Sequence, residues 1–150
     1  HYVDDSLEID DELKLETYHD CPVFLPVQTY GMTEEHDGIR MADRFLHEQY
    51  LIVTEGSQKV LLSGCSHRGI YNIIQWAADE QVQTVIGGFH FMKLELEDFC
   101  RMDSTAEKLL EYPVKYYTCH CTGLSQYQYL KEKMGDALQY LESGQTITIS

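Results

Sequence analysis

The chain lacks any long hydrophobic run and has few basic residues, and each absence excludes a class of protein. No stretch of its 150 residues approaches the roughly eighteen apolar positions that crossing a bilayer requires. No basic segment followed by an apolar one opens the sequence, so a secretory signal is not expected. Eleven Lys and Arg against 25 Asp and Glu give a net charge of −14, which argues against binding to nucleic-acid phosphates.

The sequence also lacks a CxxC pair, and its five cysteines are an odd number. A disulfide framework is therefore not expected in a chain long enough to bury its own core, and a reducing, cytoplasmic location fits better. Hydrophobic residues make up 43% and charged residues 24%, the composition of a globular domain. Because no linker divides the sequence, residues 1–150 are expected to form a single domain.

From His47 onward, β-rich runs alternate with helical patterns. "EQYLIVTE" and "QKVLLSG" flank Gly56-Ser57 and predict a hairpin. "GIYNIIQWAADEQ", "DSTAEKLLEY" and "LSQYQYLKEKMG" predict helices, the second starting at an Asp-Ser cap and the third closed by Gly135. "VQTVIGG", "VKYYTCHC" and "GQTITIS" predict strands, whereas the first forty residues are typical of loops with at most one edge strand. This order predicts an α/β fold.

A histidine follows each of three predicted strands. They are His67 in "LLSGCSHRG", His90 in "TVIGGFH" and His120 in "KYYTCHCTG". Because residues beyond the carboxyl ends of strands in an open α/β sheet meet at one crevice, we expect the three side chains to converge on one cleft. Three neutral imidazoles there suit Zn²⁺. A lone histidine at a strand end is more often a hydrogen-bonded loop residue, and it is the repetition that favours a metal site.

Other residues of the same types receive no metal-binding role. Cys119 and Cys121 flank His120, and a thiolate site there is the weaker alternative to packing; Cys65 is likewise interpreted as a packed residue. The remaining histidines lie in polar, unpatterned surroundings: His1, His19, His36 and His47.

The three motifs in order resemble the downstream half of the metallo-β-lactamase-fold hydrolases. The stretches that carry the resemblance are "GCSHRGIYNI", "VIGGFH" and "HCTG", with "DRFLHEQYLIV" ahead of the first. The nearest pattern is that of the β-lactamase superfamily II metal-dependent hydrolases, the branch that includes proteins similar to the archaeal dihydropterin-ribofuranosylaminobenzene phosphate synthase. The resemblance covers most of the chain from about Asp43 onward.

The resemblance implies a four-layer αββα sandwich with two metals at one edge, of which this chain is expected to form the C-terminal half. His67 falls where the family has its third histidine for the first metal, and His120 falls at the last histidine, which binds the second. His90 occupies, by order and spacing, the place of a bridging aspartate. Because an imidazole cannot bridge as a carboxylate does, the resemblance implies one or two ions, with zinc expected and manganese as the alternative.

The family's His-x-His-x-Asp-His signature, which supplies most of the ligands, is absent from the 150 residues. The chain is therefore expected to be the C-terminal portion of a longer metallo-hydrolase, with the missing N-terminal half of the fold as its partner. The isolated chain is expected to be inactive, and no catalytic residue is assigned within it.

The expected function is metal-dependent hydrolysis of a phosphoester or related ester in a small-molecule substrate, with no nucleic-acid or membrane partner. Arg68 follows His67 near a helix start and is expected to hold an anionic group of the substrate, although a surface arginine without a role fits equally well. Asp43 and Glu48 are candidates for orienting ligands, with a solvated face as the alternative. A different class also stays open, namely a non-catalytic structural or binding domain that retains the histidines.

Overall fold

Short strands and three helices make up the fold in the computed structural model, which describes residues 3–95 and 99–149. The strands are β1 (Ser6–Glu8), β2 (Leu13–Glu16), β3 (Thr33–His36), β4 (Ile39–Ala42), β5 (Tyr50–Glu55), β6 (Gln58–Ser63), β7 (Thr84–Gly87), β8 (Lys115–Thr118) and β9 (Leu138–Tyr140). The helices are α1 (Ile70–Trp76), α2 (Phe99–Leu109) and α3 (Leu124–Met134). The order in the main sheet is β1-β2-β5-β6-β7-β8-β9, while β3 and β4 pair in a separate hairpin.

Half of the main sheet is antiparallel and half is parallel. Strands β5 and β6 form the predicted hairpin, with Gly56 at φ 59° in its turn. From β6 onward each strand pairs in parallel with the next, and α1, α2 and α3 connect them. Because such crossovers are right-handed and all step in the same direction along the sheet, the three helices lie on one face, where α1 contacts α2 and α2 contacts α3.

The helix-covered face of the sheet contains the core. The predicted inward positions of α1 are buried, and they pack against alternate residues of the central strands. These core residues are Ile70, Ile73, Ile74 and Ala77 of α1 with Tyr50, Ile52, Leu61, Val85, Tyr116 and Leu138 of the sheet. The α/β organisation that the sequence predicts is thereby confirmed.

The opposite face of the sheet is apolar but only partly buried. Leu15 pairs with Leu51, Leu51 with Leu62, and Leu62 with Ile86, so these side chains share one face. Each of them is partly exposed, in contrast to the neighbouring residues that point towards the helices. We call this surface the open face: Leu7, Leu13, Leu15, Leu51, Val53, Val60, Leu62, Ile86 and Tyr117.

Three local predictions were wrong. The first forty residues contain β1, β2 and the β3–β4 hairpin rather than at most one edge strand. "GQTITIS" forms no strand over residues 144–149, because the short turn after α3 brings β9 to the edge beside β8 first. Asp103 does not cap α2; it lies within the helix, where its carboxylate contacts Lys133 at 2.9 Å and accepts a hydrogen bond from Tyr129 at 2.7 Å.

Across the described residues, we find no helix with the length and hydropathy needed to cross a membrane.

Candidate functional site

Glu48 fixes the turn that carries His67. Beyond the end of β6, the turn reverses through Ser66 at φ 54° and Gly69 at φ 90°, after which α1 begins. The carboxylate of Glu48 accepts hydrogen bonds from the backbone N–H of His67 at 2.8 Å and of Arg68 at 3.2 Å. It also accepts one from the Tyr50 hydroxyl at 2.8 Å. Three donors on one carboxylate hold the histidine backbone in a defined place.

His90 is held by the turn after β7, which two glycines make possible. A Cβ at Gly87 would lie 2.4 Å from the carbonyl oxygen of Ser63, so only glycine lets the chain come this close to β6. His90 itself has φ 56°, and its carbonyl accepts a hydrogen bond from the Tyr30 hydroxyl at 3.2 Å. The backbone of the residue before it donates to Thr122 Oγ1 at 2.8 Å.

The two turns bring the imidazoles of His67 and His90 into contact. Their ring centroids are 4.1 Å apart, with an angle of 48° between the ring planes. Phe45 stacks on His67 with centroids 4.6 Å apart, and Tyr30 meets His90 edge-on at 5.1 Å. We call these two histidines the histidine pair. Both aromatic residues come from the long connection between β2 and β5, and they cover the pair from two sides.

Three ring nitrogens of the histidine pair are buried without a hydrogen-bond partner among the described residues. They are Nδ1 of His67 and both Nδ1 and Nε2 of His90. Buried polar atoms normally have a partner, so such a group points to a ligand. Burial, followed by the positive charges of His67, Lys93 and Arg101, lowers the pKa of His90 to about 4. At neutral pH His90 is therefore uncharged, the form in which an imidazole binds a metal.

His120 is not part of this pair. It follows β8 in a short turn with φ 46°, its side chain is exposed, and it lines an open groove with Leu124, Tyr140, Leu141 and Glu142. Within residues 3–95 and 99–149, no group of three ligand atoms within 4.8 Å of one another contains it. The role of His120 as a metal ligand stays a prediction.

One group of three ligand atoms within 4.8 Å does occur elsewhere among the described residues, namely Asp5, His19 and Asp20. The Asp5 and Asp20 side chains are 83% and 91% exposed. The imidazole of His19 also contacts Thr17 Oγ1 at 2.9 Å. Solvated carboxylates of this kind are common without a metal. This group is therefore a weaker candidate for a metal site than the buried histidine pair.

Arg68 is buried and binds backbone carbonyl groups of the chain itself. Its side chain is 2% exposed, and its guanidinium donates to the carbonyl oxygens of Tyr18 at 2.7 Å, of Thr17 at 3.2 Å and of His19 at 3.4 Å. It also lies 4.2 Å from the centre of the Trp76 ring. With its donors directed at backbone carbonyls, the guanidinium has no free surface on which to hold an anionic substrate group.

Several residues of this region carry no sequence signal that singles them out. Asn72 in α1 donates to the carbonyl oxygens of Leu25 and Arg68 and accepts from the N–H groups of Phe24 and Leu25. With Arg68, it ties the connection after β2 to α1. The same connection continues to Tyr30 and Phe45. Both of these residues have positive φ values, 47° and 55°.

Three cysteines lie at the same end of the sheet. Cys65 is in the turn of His67, whereas Cys119 and Cys121 flank His120. Cys121 is 7% exposed, in agreement with a packing role, and burial raises the pKa of its thiol. Burial also raises the pKa of Cys119.

Comparison with known proteins supports the resemblance. No family model matches the chain. A 7,8-dihydropterin-6-methyl-4-(beta-D-ribofuranosyl)-aminobenzene-5'-phosphate synthase of Methanocaldococcus jannaschii is 29% identical over 145 residues, which are 93% of this chain and 46% of that protein. An uncharacterized protein of the same organism is 27% identical over 92 residues, 58% of this chain and 32% of that protein.

The fold has a counterpart among solved structures. The crystal structure of Tm1679, a metal-dependent hydrolase of the beta-lactamase superfamily, matches with a TM-score of 0.76 and 26% identity over 99% of this chain and 58% of that one. The predicted resemblance to this superfamily is therefore confirmed, and so is the α/β fold of its type. The chain spans about half the length of the proteins that it matches over most of its own length.

Proposed function

We propose that the chain supplies part of the active site of a metal-dependent hydrolase, with His67 and His90 as metal ligands. The observation that carries this proposal is the histidine pair, in which three buried ring nitrogens lack a hydrogen-bond partner among the described residues. The similarity to a metal-dependent hydrolase of the beta-lactamase superfamily supports it. His120 is exposed just beyond the end of β8. We propose it as a further ligand, which would bind a second ion or would join the first ion after a shift of its turn.

The chemistry of these donors fits Zn²⁺, with Mn²⁺ as the alternative, because zinc accepts neutral imidazole nitrogen. Zinc held by these imidazoles would lower the pKa of a coordinated water to about 7 and would polarise a substrate oxygen. The chain's own residues prepare the site: Glu48 fixes the backbone of His67, and burial keeps His90 uncharged. Phe45 and Tyr30 cover the pair from two sides.

A phosphoester or a related ester is the proposed substrate class. The support is the synthase relative, whose name places a 5'-phosphate in its product, together with the hydrolase neighbour. Arg68 is not included in this proposal, because its guanidinium is bound to carbonyl oxygens.

We further propose that a second β-sheet, supplied by polypeptide other than these 150 residues, packs on the open face and completes the site. The apolar side chains of that face are only partly buried, and contiguous exposed apolar surface of this kind marks an interaction site. The resemblance implies a four-layer sandwich, in which a second sheet packs on the first, and this supports the proposal. The chain's span of about half the matched proteins' length supports the same assignment.

Zinc titration of the chain against a chromophoric chelator tests the metal ligands. Two neutral nitrogens without a carboxylate compensate a divalent charge poorly, so we expect weak binding, with well under one zinc retained per chain after dialysis. The variants His67→Gln and His90→Gln are expected to lose that binding, whereas His36→Gln, at an exposed position of β3, retains it.

A second variant separates the two candidate sites. If His19→Gln abolishes binding and the variants of the histidine pair do not, the zinc lies at Asp5, His19 and Asp20 and the proposal fails. Equal binding by all four variants would also contradict it and would favour a non-catalytic domain.

A further inference from the structure

Cys65 and Cys121 lie side by side although their strands are not neighbours. Cys65 follows β6, Cys121 follows β8, and β7 lies between these strands. Two strand spacings are roughly 10 Å, yet the Cys121 thiol donates to the carbonyl oxygen of Cys65 at 3.4 Å. The Cys121 thiol therefore reaches Cys65 across the end of β7.

Gly88 leaves the space that the Cys121 sulfur occupies beside Cys65. A Cβ at this position would lie 2.3 Å from Sγ of Cys121, much closer than two such atoms can approach. The same Cβ would lie 3.4 Å from the carbonyl oxygen of Cys119 and 3.5 Å from that of Gly64. The Cys121 sulfur thus occupies the space that a side chain at position 88 would fill, and any larger residue there would push it away from Cys65.

We propose that Cys65 and Cys121 form a reversible disulfide across Gly88, with a low-molecular-weight disulfide as the oxidant. Cys65 is partly buried and Cys121 is 7% exposed, so an outside reagent reaches Cys65 first. The Cys65 thiolate attacks one sulfur of the reagent, which forms a mixed disulfide and releases one small thiol. Cys121 then attacks the Cys65 sulfur and releases the second small thiol, so that two protein thiols are oxidised and one reagent disulfide is reduced to two thiols.

The bond would connect two parts of the candidate site. It joins the turn that carries His67 to the turn His120–Thr122, over a separation of 56 residues. The inference is independent of the metal-site proposal, because it depends on thiol geometry and on no bound ion.

Equilibration of the chain in buffers of oxidised and reduced glutathione tests the proposal. Free thiols are then alkylated, and the digested chain is analysed by mass spectrometry. The expected product is a peptide linking Cys65 to Cys121, which excess dithiothreitol removes. In Cys121→Ser the reaction is expected to stop at glutathione on Cys65, and that adduct should accumulate several-fold over the wild-type level.

Cys100→Ser is the matched control, since Cys100 is exposed on α2, and it is expected to leave the Cys65–Cys121 link unchanged. Equal glutathione adducts in wild type and Cys121→Ser would overturn the proposal. A link from Cys65 to Cys119, or random links to Cys21 and Cys100, would do the same. Gly88→Ala should reduce the yield of the Cys65–Cys121 link. If Gly88→Ala does not fold, the comparison of wild type with Cys121→Ser still tests the proposal.

Discussion

The imidazole of His67 lies 4.1 Å from that of His90, centroid to centroid, and the two residues come from turns that follow adjacent parallel strands. Burial of the His90 imidazole in this contact disfavours its charged form. The contact therefore ties the protonation of the site to the stability of the fold, and this relation can be measured.

The first prediction concerns pH. The pKa of His90 is about 4 in the folded chain, against an ordinary value of 6.5. Between these two pH values the unfolded chain binds more protons than the folded chain. The free energy of unfolding therefore has its full value above pH 6.5 and decreases as the pH falls towards 4. The folding equilibrium constant changes by at most about tenfold per pH unit. Urea unfolding at several pH values is expected to show this slope in wild type and a smaller one in His90→Gln. An unchanged slope in the variant would assign the effect to other groups.

A second prediction concerns Glu48. Its carboxylate accepts hydrogen bonds from the N–H groups of His67 and Arg68, and Glu48→Ala leaves both donors without this partner. We expect a loss of about 2–3 kcal/mol in the free energy of unfolding and faster hydrogen exchange at these two amides. Glu35→Ala, at an exposed position of β3, is the control. Exchange rates equal to those of wild type would show that the turn holds its shape without Glu48.

A third prediction concerns Arg68. Lysine keeps the positive charge but lacks the planar fork that reaches several carbonyl oxygens at once. Arg68→Lys is therefore expected to lower the free energy of unfolding by about 2 kcal/mol or more and to make the connection after β2 sensitive to protease. Arg40→Lys, on the exposed strand β4, should change neither quantity. If Arg68→Lys instead weakened the binding of an anionic substrate at full stability, the substrate-binding interpretation from the sequence would be the better one.

The sequence predicted the contacts that depend on strand order alone. His67 and His90 lie a few residues beyond the ends of β6 and β7, and these two strands are parallel neighbours whose carboxyl ends lie side by side. The hairpin at Gly56 and the buried side of α1 were predictable for similar reasons, because both follow from local pattern.

Contacts between distant segments were not predictable in this way. Arg68 reaches Tyr18, 50 residues away, and nothing next to Arg68 in the sequence distinguishes a buried guanidinium from an exposed one. Phe45 and Tyr30 reach the histidine pair because the long connection between β2 and β5, which Asn72 ties to α1, brings them there. The exposed position of His120 depends on a tight turn after β8, which the strand-like pattern "VKYYTCHC" does not indicate.

The last prediction compares two adjacent residues of β5 on opposite faces of the sheet. Ile52 points towards the helices and is 1% exposed, whereas Leu51 lies on the open face and is partly exposed. Ile52→Ala is expected to cost about 2–5 kcal/mol, the usual loss for a buried aliphatic side chain. Leu51→Ala should cost about 1 kcal/mol in this chain, because less apolar surface returns to water. Chemical unfolding of both variants measures the difference. In a protein that also carries the proposed second sheet, the cost of Leu51→Ala should rise towards that of Ile52→Ala. If it stayed low there, the open face would not be the surface on which a second sheet packs.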